Sequence, residues 1–328
     1  MRIGIDFFGG DQAPEAIIES IKDVISQIES TIVLYGDETT IVRLLTENKI
    51  NLEKIEIVHT TQVVTGEDKP VQAVKKKKDS SMMKGLIDLR KDKIDAFLSA
   101  GNSGALLAGG LLKVGRLQGI DRPALVTPYP TSKGISVLAD AGANAECKSR
   151  NLKEFSLMGS IYASEIMGIE NPKVGLVNIG DEKGKGTTLV KESYDAIEAL
   201  EPINFIGNLE ARDIPFGKAD VIVCDGFTGN VILKLSEGVA KSITDMIKDA
   251  FTKNILTKLS AVFVKGGLSK MKKKLDYSEY GGAPLLGVKK LVVKAHGSSN
   301  AKAFKNAILF TEKSLKSDII GKIKKYLS

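Results

Sequence analysis

Residues 280–307, YGGAPLLGVKKLVVKAHGSSNAKAFKNA, hold His296, one of two histidines in the chain. The histidine follows the apolar run Leu291, Val292, Val293 and precedes Gly297, Ser298, Ser299 and Asn300. A helical pattern comes next, with Ala303, Phe304, Ala307 and Ile308 on one face. This order predicts a strand that ends in a group titrating near neutral pH and then opens a helix. Gly297 frees the backbone to turn, and Ser298, Ser299 and Asn300 are capping types. The N–H groups at such a helix start favour anions. A histidine beside an anion site suits chemistry on a phosphate or a carbonyl. Read alone, the stretch fits a strand end followed by a plain cap equally well.

Four more turns of the same kind occur. Asp6-Phe7-Phe8-Gly9-Gly10-Asp11 follows the first apolar run, and Gly10 permits a close backbone approach to a ligand. Asp6 and Asp11 serve equally well as turn residues. It is not GxGxxG, so a nicotinamide reading is weak. Ser99-Ala100-Gly101-Asn102-Ser103-Gly104-Ala105 places Asn102, Ser103 and Gly104 at a helix start, where small residues and polar donors suit a phosphoryl group. Gly180–Thr187, GDEKGKGT, carries Lys183 and Lys185 on a glycine-rich loop without Walker spacing. A solvated loop is the plainer reading of it. Cys224-Asp225-Gly226-Phe227-Thr228-Gly229-Asn230 is a further strand-to-helix turn. Asp225 and Asn230 are its polar candidates, and Thr228 suits a cap. Cys224 continues an apolar strand and is expected to be a buried, inert thiol.

These turns need elements to carry them. Strands are expected at Arg2–Phe7, Thr31–Tyr35, Ile55–Val58, Ala96–Ser99, Ala124–Val126, Ile135–Ala139, Lys173–Asn178, Asn204–Ile206 and Val221–Cys224. Helices are expected at Pro14–Ile28, Thr40–Asn48, Ser81–Arg90, Gly104–Val114, Leu152–Met167 and Thr187–Leu200, with a long one from about Gly229. Such alternation predicts one doubly wound α/β/α domain over residues 1–328, with a mostly parallel sheet. Strand ends would then gather the polar turns at one sheet edge. Residues 241–275 break the rhythm. Apolar positions among many lysines predict a helical hairpin, with Leu259, Val262 and Phe263 at an apolar tip. It suits shallow docking on anionic lipid, a dimer arm or a core helix.

The bulk composition excludes several classes. The chain has 328 residues, 43% hydrophobic and 27% charged, which is the make-up of a globular protein. A formal charge of +7 predicts acidic partners. Aromatic residues are only 5%, and no nucleic-acid motif appears, so nucleic acid is not expected as a partner. Cys147 and Cys224 form no CxxC, and no metal site is expected. No apolar run approaches a membrane span and the N-terminus does not read as a signal peptide, so a cytoplasmic location is expected.

The chain resembles the PlsX family of bacterial phosphate acyltransferases. The resemblance rests on MRIGIDFFGGDQAPE, KKKKDSSM, DAFLSAGNSGALLA, ADAGANAECKSRNLKEFSLMGSIYA with its Asn144, VGLVNIGDEKGKG, INFIGNLEARDI, ADVIVCDGFTGNVILKLSEG and EYGGAPLLGVKKLVVKAHGSSNAKAFKNAI. It implies a Rossmann-like fold related to phosphotransacetylases and isocitrate-type dehydrogenases, with no cofactor. It implies a homodimer held peripherally at the inner face of an anionic membrane. The implied reaction moves a long-chain acyl group from acyl carrier protein to inorganic phosphate. The acyl phosphate would then pass to a membrane glycerol-3-phosphate acyltransferase. On this reading Asn102, Ser103 and Lys185 bind phosphate, with Gly10, Gly104, Asn144, Lys183 and Gly229 nearby. Asn230 and the Ser298/Ser299 turn offer donors to the oxyanion. His296 orients phosphate, takes its proton, or protonates the departing thiolate. Asp225 holds His296 in its tautomer or simply orders its turn. The sequence departs from the family at Gln12, where a histidine is usual, at DFFGGD, usually DAMGGD, and around Lys183. A short-chain acetyltransferase using coenzyme A and a non-catalytic membrane scaffold are the competing readings.

Overall fold

A computed structural model describes residues 1–201, 203–254, 257, 260, 263–269, 271 and 281–327 of the chain. The strands are β1 (Arg2–Asp6), β2 (Thr31–Gly36), β3 (Ile55–His59), β4 (Ala96–Ser99), β5 (Ala124–Thr131), β6 (Gly134–Ala139), β7 (Lys173–Asn178), β8 (Asn204–Glu210), β9 (Val221–Val223), β10 (Ala283–Leu286) and β11 (Leu291–Lys294). The helices are α1 (Glu15–Val24), α2 (Glu38–Glu47), α3 (Pro70–Lys76), α4 (Ser81–Arg90), α5 (Ser103–Gly109), α6 (Ser149–Glu165), α7 (Thr188–Glu198), α8 (Gly226–Thr252), α9 (Ala301–Lys316) and α10 (Ile319–Leu327).

The strands form one sheet in the order β3-β2-β1-β4-β11-β10-β5-β6-β9-β7-β8. Alternate side chains feed separate cores, as the period of a strand requires. Ala96 and Leu98 of β4 join Ile3, Ile5, Ile17, Ile21, Phe304 and Ile308 on one face. Phe97 joins Met82, Met83, Leu86 and Val292 on the other. Helices on both faces explain why these strands read as near-continuous apolar runs.

Pairing is parallel except at β11–β10, β10–β5 and β5–β6. These three antiparallel steps reverse the sheet once. Strands β1, β2, β3, β4 and β11 run one way, and β6, β9, β7 and β8 run the other. The expectation that all polar turns sit at one sheet edge is therefore corrected. The Asp6, Ser99 and Lys294 ends lie at one edge, and the Asn178 and Val223 ends at the opposite one. The reversal comes from the short β10, which sequence patterning missed. Its turn into β11 uses Gly287 with φ +95, where an added Cβ would meet the Pro123 backbone at 3.1 Å.

Helix boundaries shift modestly. Helix α1 stops at Val24, while Ile28 still enters the core from the following turn. The small-residue helix ends at Gly109 and continues as a wider π turn, Gly110–Val114. Helix α8 starts three residues earlier than expected because Asp225 caps it, accepting from Thr228 N at 2.9 Å. Of the expected hairpin, Phe263 and the helical backbone at 263–269 are described; Leu259 and Val262 lie outside the described residues.

Candidate active site

Three neighbouring parallel strands deliver the first wall. Asp6 ends β1 and is buried; its carboxylate accepts from Ser81 Oγ at 2.5 Å and Ser99 Oγ at 2.6 Å. Burial pushes the Asp6 carboxyl up from its ordinary range, against those hydrogen bonds. Ser99 Oγ in turn accepts from Gly101 N at 3.0 Å, which fixes the loop that opens α5. Gly10 has φ +115 and lies against the Gly297 carbonyl, which accepts from Asp11 N at 2.8 Å. The DFFGGD and HGSS turns are thus joined by backbone.

Asn102 caps α5 through Ala105 N, and its amide donates to the carbonyls of Thr65, Gly66 and Asp68. Its side chain is therefore committed to holding the 65–68 loop. An added Cβ on Gly104 would lie 2.5 Å from Pro70 Cγ, so this glycine lets α3 pack against α5. Ser103 is exposed at the helix start.

His296 follows β11. Its Nδ1 lies 2.8 Å from Ser298 Oγ and its Nε2 lies 3.3 Å from Lys234 Nζ. Nδ1 also accepts from the Ser298 backbone N–H at 3.3 Å, and an ammonium can only donate, so both ring nitrogens face donors. Burial and the Lys234 charge lower the imidazole pKa below its ordinary 6.5. The ring is neutral at physiological pH. Ser299 is buried and donates its N–H to the His296 carbonyl at 3.0 Å.

The second wall comes from the other half-sheet. Asp140 follows β6, and its carboxylate accepts from the backbone N–H of Leu125, Gly142, Ala143 and Asn144 and from Asn144 Nδ2. Asn144 also donates to the Pro123 carbonyl at 2.8 Å, so it is a buried brace of this loop. Gly229 permits the closest approach here, since an added Cβ would fall 1.9 Å from the Asp140 carbonyl oxygen. Helix α8 then passes Gly142, whose Cβ position lies 3.4 Å from Asn230 Cβ, and presents Asn230 to solvent. Farther along, Ser236 Oγ meets Tyr129 OH of β5 at 2.7 Å. The helix crosses from the β9 end to the β11 end, carrying Asn230 and Lys234 between the two walls.

These pieces enclose a cavity of about 180 Å³ lined by Ser103, Leu125, Pro128, Asn230, Leu233, Lys234, Glu237, Lys294 and His296, among others. The volume suits the reacting ends of substrates rather than a whole acyl chain. Among the expected site residues, the cavity gathers Ser103, Asn230 and His296. Asp225 is placed as the α8 cap, bonded to Thr228 N and Oγ1, while the two ring nitrogens of His296 face Ser298 and Lys234. Lys183 turns to Asp195 and Glu198 of α7, and Lys185 is exposed in a loop pinned by Asn178 and Asn208. Cys224 is buried and its thiol is pushed up well above the ordinary range, which makes it inert.

Sequence reasoning passed over Lys294, Lys234, Glu237 and Asp140. A signal for three of them was present. Lys294 and His296 share strand parity. Asn230, Lys234 and Glu237 stand at i, i+4 and i+7 of one helix. Among the described residues no cluster of potential metal ligands occurs.

Folds of this shape occur among acyl-transferring enzymes. A phosphotransacetylase from Streptococcus pyogenes matches with TM-score 0.65 at 15% identity, over 96% of this chain and 94% of that one. A branched-chain phosphotransacylase from Enterococcus faecalis V583 matches with TM-score 0.59 at 15% identity, over 95% and 99%. The profile of the family described as "Fatty acid synthesis protein" matches residues 1–322. A phosphate acyltransferase of Alkaliphilus oremlandii (strain OhILAs) is 56% identical over 94% of this chain and 92% of its own. One of Clostridioides difficile (strain 630) is 48% identical over 100% and 96%. The chain belongs to the fatty acid synthesis protein family, and it is an acyltransferase.

His296→Gln is expected to lower kcat by about 100-fold or more, the usual scale for losing a positioned acid or base. In the wild type, kcat is expected to fall as acid protonates His296, with the midpoint below pH 6.5. Lys234→Met removes a repelling charge and moves that midpoint upward. A kcat–pH profile at saturating substrates that is identical in all three proteins would reject this role.

Proposed function

We propose that the protein transfers a long-chain acyl group from an acyl-carrier-protein thioester to inorganic phosphate, releasing acyl phosphate and the free carrier thiol. The observation that carries the reading is the near full-length identity with proteins named phosphate acyltransferase. Phosphate is itself the nucleophile, so no acyl-enzyme is required. The enzyme holds a dianion against the thioester carbonyl and stabilises the oxyanion that develops. His296 Nε2 takes the proton that phosphate gives up. Asn230 on α8 and the Ser103 end of α5 face the same cavity and supply donors. The thiolate leaves readily, so positioning outweighs acid help. Gly10 stays in the reading as the turn held against Gly297, and Ser298 as the residue bonded to His296 Nδ1, while Lys183 and Lys185 stand outside the cavity.

The net charge of +7 supports an acidic carrier protein as donor. Pure protein incubated with phosphate and palmitoyl-carrier protein, palmitoyl-CoA or acetyl-CoA is expected to give most acyl phosphate from the carrier thioester. Preference for acetyl-CoA would favour the short-chain acetyltransferase instead.

Two surface features support the assembly reading. Helix α8 is about 40 Å long at 1.5 Å per residue and is buried only at Gly226 and Gly229. Phe227, Val231, Leu235, Val239, Ile243 and Met246 are exposed along it, 42–66% each, in one apolar stripe. A second copy of the chain covers this stripe in a homodimer. Leu235→Glu with Val239→Glu is expected to shift the mass in solution from dimer to monomer; an unchanged dimer would place the interface elsewhere.

Phe263 is 91% exposed beside Val264 and Lys265, and no helix among the described residues is long and apolar enough to cross a membrane. This suits peripheral contact with anionic lipid. Phe263→Asp is expected to reduce co-flotation with phosphatidylglycerol vesicles, and full retention would refute the contact. The downstream membrane glycerol-3-phosphate acyltransferase and the inner membrane face belong to this same reading.

A further inference from the structure

The cavity contains more positive charge than the His296 chemistry requires. Lys294 ends β11 and is partly buried; its ammonium donates to the Ala100 carbonyl at 3.1 Å and to the Ala295 carbonyl. An ammonium has three donors. Two of them are used by strand-end carbonyls, and the side chain lines the cavity with one left. Lys234 enters from the opposite wall on α8. Its Nζ lies 2.8 Å from Glu237 Oε2 and 3.3 Å from His296 Nε2. Among the described residues Glu237 is the one carboxylate lining this cavity, and its Oε1 is buried without a hydrogen-bond partner among them. Two lysines thus face a single carboxylate that is only half satisfied. A phosphate dianion would balance them better.

We infer that Lys294 and Lys234 form a two-sided clamp for inorganic phosphate, and that Glu237 occupies Lys234 only until phosphate replaces it. The inference rests on the phosphate acyltransferase reading of this site. Lys294, fixed to the β4 and β11 ends, sets where the phosphate sits. Lys234, on the crossing helix, closes on it from the other half-sheet. His296 Nε2 is then beside the bound phosphate oxygen, where it receives the proton. The clamp also ties phosphate binding to pH. Burial lowers Lys294 to about 8, with the Lys234 charge adding to the effect and the Asp6 and Asp11 carboxylates opposing it. Above that value Lys294 loses its proton and one side of the clamp. His296, which also faces Lys294, is already neutral there, and phosphate has already lost its second proton.

The test measures KM for inorganic phosphate and for the thioester separately, with thermal stabilisation by inorganic phosphate alone as a donor-free readout. Lys294→Met and Lys234→Met are each expected to raise phosphate KM by about 10-fold or more, the scale of one charged hydrogen bond. Thioester KM should stay within about twofold, since the clamp adds no contact to the acyl group. Glu237→Gln is expected to lower phosphate KM, because it removes the resting competitor. A merely structural role would not move KM in opposite directions. Wild-type phosphate KM should climb above pH 8, and that climb should vanish in Lys294→Met. If Lys294→Met does not fold, the half-exposed Lys234→Met, Glu237→Gln and the wild-type pH profile carry the same test. Unchanged phosphate KM in Lys234→Met and Glu237→Gln, or a loss confined to thioester KM, would overturn the clamp while leaving the donor reading intact. Stabilisation of the wild type by phosphate with no turnover of carrier thioester would overturn the donor reading instead, and leave the clamp supported.

Discussion

Two half-sheets that run in opposite directions can serve one ligand only if something crosses between them. Helix α8 is that crossing, and it depends on the Asp140 carboxylate. Asp140 gathers donors from Leu125, Gly142, Ala143 and Asn144 and so holds the end of β6 against β5. Its carbonyl oxygen sits where any side chain at position 229 would stand. The helix can therefore start low on β9 and pass close to the sheet before reaching β11. A buried carboxylate is costly unless its lone pairs are filled. Here nearly all its acceptor capacity is used, and the group that results is rigid.

The first half-sheet solves the matching problem with Asp6. It sits between Ser81 and Ser99, and through Ser99 it orders the Gly101 backbone. Glycines at 9 and 10 let that turn approach the Ala100 and Gly297 backbone. Two buried aspartates, one per half, thus hold the loops that face the cavity. The groups that line the cavity between them, His296, Lys234, Lys294 and Asn230, are the less constrained ones.

Much of this was legible beforehand, and the failures have physical causes. The alternation of apolar runs with amphipathic stretches gave the layered α/β class, because that signal is local. Of the expected capping residues, Asn300 accepts from Ala303 N, whereas at α8 the cap is Asp225 and Thr228 donates to it. The strand reversal was not legible, because β10 is four residues long and one of its two partners, β5, is far away in sequence. Asn102 and Lys183 looked available for a ligand because a sequence shows donors and not their partners. Lys294 was overlooked because lysines are common in this chain, and its shared parity with His296 points to a site only once β11 is seen to end at the cavity.

The order of the strands also has a consequence for how the chain is made. Strand β4 is the fourth of five in the first half-sheet, and the neighbour on its outer side is β11, paired from Ala96 with Leu291. During synthesis β4 emerges early and its partner arrives nearly last. Until then the nascent protein carries an open, fully apolar sheet edge, the feature that invites wrong pairing. The same late segment brings Lys294 and His296. Closure of the sheet and completion of the cavity therefore arrive together, so a chain stalled before β11 is prone to aggregate.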